Sequence, residues 1–156
     1  MGTINRGEIH MKKKIIKRLG LLFLVSIIFG SVISFTDTQD KGYSFQFWGP
    51  LSNHYTGGRL KENSSSMFIS VSKTSDQSIT SFDAKPQAYG SGRWVNVGNG
   101  GTVSVGRKYQ VYNSAYETFG KVAVQFRGIC STWGKTTISG KWSPDYSPEN
   151  GVYVLP

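Results

Sequence analysis

Hydrophobic and polar positions alternate strictly over several short stretches of this chain. Tyr43, Phe45 and Phe47 alternate with Ser44 and Gln46. Met67, Ile69 and Val71 alternate with Ser70 and Ser72. Val122, Val124 and Phe126 alternate with Lys121, Gln125 and Arg127, the cleanest amphipathic run of all. A period of two places one set of side chains on a core and the other in water, which predicts β-strands. Ser78–Phe82, Tyr109–Tyr112, Thr136–Trp142 and Val152–Val154 are read as further strands, with Pro86 near the end of one or on a sheet edge. Trp94–Val97 and Thr102–Val105 flank Gly98-Asn99-Gly100-Gly101. Two β-rich runs around a Gly/Asn cluster predict a hairpin. Leu51–Ser66 reads as loop. No window after residue 35 carries apolar residues at i, i+3, i+4 and i+7 over three turns, and the 15 glycines there suit turns better than helices. The fold class expected is all-β: one antiparallel β-sandwich or small barrel over residues 43–156, after an N-terminal signal helix.

The N-terminal part has a different pattern. Lys12, Lys13, Lys14, Lys17 and Arg18 precede an uncharged stretch from Leu19 to Thr36. A basic region before a short apolar run has the form of a secretory signal peptide, read here as residues 11–34 with cleavage after Ser34. The competing reading is an uncleaved anchor; at 18 residues the stretch is at the short end of a spanning helix. Residues 1–10 read as an upstream extension, Met11 as the true start, and 35–42 as a flexible leader. This division changes the meaning of the charge. The whole chain carries +9, but residues 35–156 hold 12 Lys and Arg against eight Asp and Glu, a net of +4. Nucleic acid is therefore not an expected partner. Membrane contact is expected only through the signal segment, and localisation outside the cell.

The candidate chemistry is sparse. His54 is the only histidine after the signal and Cys130 the only cysteine in the chain. One of each is too few for zinc, and Asp37 to Asp40 offers too few ligands for calcium. A Cys130–His54 pair lacks any flanking motif of a nucleophile. Cys130 is expected to be a small buried hydrophobe, with an exposed, dimer-forming thiol as the alternative. Asp76, Asp83, Glu117, Asp145 and Glu149 are expected to be solvated acids rather than a glycosidase pair. No cofactor and no catalytic residue is expected.

Aromatic side chains are the positive feature: 19 of the 122 residues from Phe35 onward. They serve either as the bulk of a Leu-poor core or as a surface for sugars and peptides, on which flat rings stack. On the second reading the candidate contacts are Trp48, Trp94, Trp133 and Tyr146, with Arg93 and Arg107 adding charge.

Three segments carry a resemblance. They are the Asn/Ser/Tyr-rich run with a following Arg (Asn53 to Arg59), the element Trp94-Val95-Asn96, and Ser139-Gly140-Lys141-Trp142 leading to Asp145. Together they resemble a family of small secreted Gram-positive proteins of unknown function, over roughly residues 43–146. The resemblance implies a secreted β domain and no named activity. The chain is similar, too, to secreted β-sandwich bacteriocins. The function expected is thus a non-enzymatic domain acting at the bacterial cell envelope on a cell-wall polymer, a carbohydrate or a surface protein, with a bacteriocin-like antibacterial role as the alternative.

Overall fold

The structure, a computed structural model, describes residues 38–156. The proposed extension, signal peptide and start of the leader lie outside the described residues. The described residues form one compact unit. It contains eleven strands and one short helix: β1 (Lys41–Trp48), β2 (Ser52–Tyr55), β3 (Arg59–Lys61), β4 (Met67–Thr74), β5 (Ser81–Gly90), β6 (Arg93–Asn96), β7 (Gly101–Ser104), β8 (Arg107–Val111), α1 (Ala115–Phe119), β9 (Val122–Cys130), β10 (Lys135–Ser143) and β11 (Val152–Leu155). They build two sheets. The first runs β1-β10-β4-β8-β11; the second runs β2-β9-β5-β6, with β3 also on β9 and β7 also on β5. The all-β expectation holds, as a two-sheet sandwich.

The alternating runs face one another across the core. Phe45, Phe47, Ile69, Val71 and Ile138 of the first sheet meet Phe82, Ala84, Val124 and Phe126 of the second. Phe45 and Phe82 meet edge to face at 5.5 Å, the packing aromatic rings prefer. Gly128 faces inward opposite Phe45: a Cβ there would stand 2.5 Å from the ring. Tyr43 is also in the core, its hydroxyl donating to Ser70 O at 3.0 Å, and burial pushes its pKa up. In β4 one extra residue, Ser72, bulges where Ser139 pairs with Lys73 but Gly140 pairs with Val71. A Cβ on Gly140 would lie 1.8 Å from Ser70 O. The blocking atom is backbone, so Gly140→Ala must displace a strand. It is expected to lower stability by about 1–3 kcal/mol, read from the urea midpoint.

At the level of individual elements several expectations need correction. The Trp94–Val105 hairpin is instead one interrupted strand. β6 pairs with Gln87–Gly90 and β7 with Ser81–Ala84, both on the same edge of β5. Between them lies Pro86, which is in mid-strand opposite Phe126 rather than at a strand end. Its ring nitrogen has no hydrogen to donate, so the ladder on that side must break there. Val97 N still donates to Pro86 O, and the chain then detours through Gly98-Asn99-Gly100. A Cβ would stand 2.5 Å from Tyr112 O at Gly98, and 2.0 Å from Ala84 O at Gly100. The true hairpin is β5–β6, whose two-residue turn puts Ser91 at φ +54° and Gly92 at +79°, as a turn with both residues left-handed requires.

Leu51–Ser66 is not loop throughout, since it contains β2 and β3, both short strands on the edge of β9. The sandwich is not wholly antiparallel: β11 runs parallel to β8, because the chain after β10 crosses over the first sheet before descending again. A helical turn, α1, also occurs, docked on β9 and β5.

Candidate functional site

The solvent face of the second sheet carries an open cleft of about 480 Å³. Strand alternation builds it. On β5, Phe82, Ala84, Pro86 and Ala88 point into the core, so Gln87 and Tyr89 point out. On β9, Val124, Phe126 and Cys130 point in, so Gln125 and Arg127 point out. β6 adds Trp94 and Asn96 in register with Tyr89 and Gln87. The cleft is lined by Tyr55, Gln87, Trp94, Gln125 and Arg127.

A row of amides runs from its floor, at Gln125 and Gln87, out to exposed Asn96 on β6. Gln125 Nε2 donates to Gln87 Oε1 at 3.1 Å, and Gln87 Nε2 donates to Asn96 Oδ1 at 3.0 Å. Gln87 and Gln125 are buried although they stand on an outward face. The residues that cover them are the walls of the cleft. Trp94 reaches across to the β2–β3 connection, where a Cβ on Gly58 would stand 3.2 Å from its Cη2. Tyr89 meets Trp94 edge to face at 5.4 Å. The buried Nε of Arg127 has no hydrogen-bond partner among the described residues. A buried N–H left unmet is costly, and here it borders the cleft. The arrangement offers flat rings, fixed amide donors and acceptors, and one cationic donor. That set suits binding of a polar, ring-bearing molecule.

The six contacts expected from the sequence fall in three places. Trp94 lines this cleft, and Arg93 is exposed on the neighbouring position of β6. Trp48 and Trp133 come together elsewhere, at one end of the sandwich. Tyr146 and Arg107 lie along adjoining grooves on the outer face of the first sheet, which share Asp40, Phe68 and Glu149. There Tyr146 stacks on Phe68, at 6.1 Å and 16°. The Arg107 guanidinium lies 5.0 Å over Tyr153. Tyr55, Gln87, Asn96, Gln125 and Arg127 were not among the expected contacts. The usable signal for Gln125 and Arg127 was their place on the polar side of the Val122–Phe126 alternation.

The titratable groups resolve differently from expectation in one case. Asp145 is no solvated acid; it is fully buried and paired with Lys61, equally buried, at 3.0 Å. Lys61 Nζ also donates to Pro144 O and Ser65 O. Asp145 Oδ2 accepts from Glu62 N at 3.1 Å, and Oδ1 from Ser65 Oγ at 3.3 Å. Burial holds the Lys61 pKa below its ordinary range, with Asp145 opposing the shift. This pair is closed on all sides and ties β3 to the crossover after β10. Among the others, Glu149 bridges Lys108 on the surface at 2.7 Å and Asp83 accepts from Thr102 Oγ1 at 2.6 Å. Cys130 is buried, as expected, with Sγ donating to Thr132 O. The His54 ring packs on Phe45 and Phe47. Among the described residues no group of three His, Cys, Asp or Glu could hold a metal ion. No helix of the described residues is long and apolar enough to cross a membrane.

The segments behind the sequence resemblance meet in this fold. Tyr55 of the first and Trp94 of the second form walls of the cleft. Arg59 of the first donates to Trp142 O at 3.0 Å, in the third. No curated protein and no solved structure matches the chain. The family model described as "Protein of unknown function (DUF2712)" matches residues 30–146, a span that takes in every residue of the cleft and Asp145, and the chain belongs to that family.

Proposed function

We propose that this chain is an exported Gram-positive protein whose β domain is a non-enzymatic binding module, gripping a carbohydrate of the cell wall in the Trp94 cleft. The observation that carries this reading is the Gln125–Gln87–Asn96 row beneath Trp94 and Tyr55. Sugars present apolar C–H faces and hydroxyl edges together. Rings beside oriented amides are complementary to both at once. Arg127 adds a donor for an acidic or carbonyl oxygen of the glycan. Export rests on the basic and apolar pattern of residues 11–34. The surplus of +4 over residues 35–156 adds weak attraction toward anionic wall polymers.

The test mixes Thr36–Pro156 with isolated wall sacculi and with living Gram-positive cells, and scores bound fraction and viability. Sedimentation with sacculi and no killing is the expected result. Trp94→Ala should weaken binding about tenfold or more, the loss of a ring that stacks on the ligand. Equal binding by the variant would remove the cleft from the mechanism. Killing of related strains would put a bacteriocin-like role in its place.

A further inference from the structure

A second surface lies at the end of the sandwich where β1 turns into β2 and β9 into β10. Trp48 closes β1 in register with Lys135, the first residue of β10. Leu51 N donates to Cys130 O at 2.8 Å. A Cβ on Gly49 would stand 3.9 Å from Trp133 Cε3. The two connections therefore form one tip. It presents three large apolar side chains to water: Trp48 is 66% exposed, Leu51 76% and Trp133 83%. The Lys135 ammonium sits 4.0 Å over the Trp48 ring. Leu51 holds its place at φ +63°, a region that branched side chains avoid and glycine or asparagine would occupy without strain. Strain of this kind gathers at functional positions, and here its effect is to hold a leucine outward.

We propose that this tip docks the domain on an anionic lipid bilayer, with Trp48, Leu51 and Trp133 entering the headgroup zone and Lys135 meeting lipid phosphates. All three side chains are more than half exposed, so none is seated in a pocket of its own chain. Their exposed area is about 400–500 Å², about half of the ~800 Å² per partner in a stable protein interface. A second copy of the chain is therefore poorly served. A fluid interface asks for no matching shape, and indole rings settle at the headgroup level of bilayers. Charge agrees: Lys135 is at the tip, and the domain's surplus of +4 is attracted by an anionic leaflet. Asp76, the acid of the adjoining β4–β5 loop, has its carboxylate engaged by Ser78 N and Oγ. This contact is separate from the Trp94 cleft and adds a membrane contact to the one assigned to the N-terminal segment.

The experiment uses Thr36–Pro156, the unit that closes its own core. It is sedimented with vesicles of phosphatidylglycerol in phosphatidylcholine and with vesicles of phosphatidylcholine alone, while tryptophan emission is recorded. Co-sedimentation with the anionic vesicles and a blue shift are expected. The Trp48→Ala/Trp133→Ala double variant should bind about tenfold more weakly or less. Lys135→Glu should weaken binding to the anionic vesicles most, and Trp94→Ala should bind them like the unchanged domain. All replaced residues at the tip are exposed, and the near-ultraviolet signal of buried Trp142 verifies folding. Absence of binding to either vesicle overturns the proposal, as does undiminished binding by the double variant. A concentration-dependent dimer that the double variant abolishes would overturn it in favour of self-association. Loss of sacculus binding alone bears only on the cleft.

Discussion

Asp145→Asn is expected to destabilise the domain by about 3–5 kcal/mol, because it strips the counter-charge from a lysine with no access to water. Lys61 and Asp145 are both fully buried. The ammonium spends its hydrogens on Ser65 O, Pro144 O and Asp145 Oδ1, and the carboxylate takes Glu62 N and Ser65 Oγ. Asparagine keeps the shape and removes the charge, so the loss reads the electrostatics rather than a cavity. The variant has a further signature. Burial already holds the Lys61 pKa below the ordinary lysine value of 10.5, and loss of Asp145 lowers it further. Between that lowered value and 10.5 the unfolded chain binds more protons than the folded one. Stability therefore rises with pH across this window. Urea midpoints for Asp145→Asn should climb from neutral pH toward 10 more steeply than those of the unchanged domain. A variant as stable as its parent, or one whose midpoint falls with pH, would show that the pair is solvated. Lys61→Met combined with Asp145→Leu should recover much of the loss, since removing both charges leaves no unpaired ion.

Why the sequence missed this pair shows where its reading stops. Ser143-Pro144-Asp145 looks like a turn, and its burial comes from Lys61, 84 positions away. No local pattern encodes such a meeting. The strands that were legible are those with one wet and one dry face: β1, β4, β9 and β10 all follow the alternation. β2 and β3 were not, because they are three or four residues long and polar, and lie on an edge. The Gly98–Gly101 cluster misled for a different reason. Glycines serve turns and close backbone approaches alike, and the feature that decides between them, Pro86, lies on the neighbouring strand. The cleft was half legible. Trp94 was named from the sequence, but the amides under it gain meaning only when β5, β6 and β9 stand side by side.

Whether each tryptophan faces the core or water was left open by the sequence reading, and Trp142 carries the second large effect. Phase sorts them. Trp48 directly follows inward Phe47, so it points out. Trp142 keeps step with Thr136 and Ile138, so it points in. There it meets Phe126 of the opposite sheet edge to face at 5.9 Å, while the Arg59 guanidinium lies 5.2 Å from its ring centre and donates to its carbonyl. One side chain thus joins β10, β9 and β3 at the end of the core where the Lys61–Asp145 pair also sits. Trp142→Ala removes the largest fully buried side chain in the domain. The expected loss is about 3–5 kcal/mol, from lost transfer energy and from a cavity that rigid strands cannot collapse. The melting temperature should fall by roughly 10–20 °C. Trp142→Phe, which keeps a ring against Phe126, should cost less than half as much. By contrast Trp48→Ala and Trp133→Ala, both at exposed positions, should change stability by less than about 0.5 kcal/mol. Thermal unfolding followed by near-ultraviolet circular dichroism separates the two Trp142 variants from the two surface ones. Similar melting temperatures for Trp142→Ala and Trp48→Ala would contradict the phase argument, because that argument places one ring in the core and the other in water.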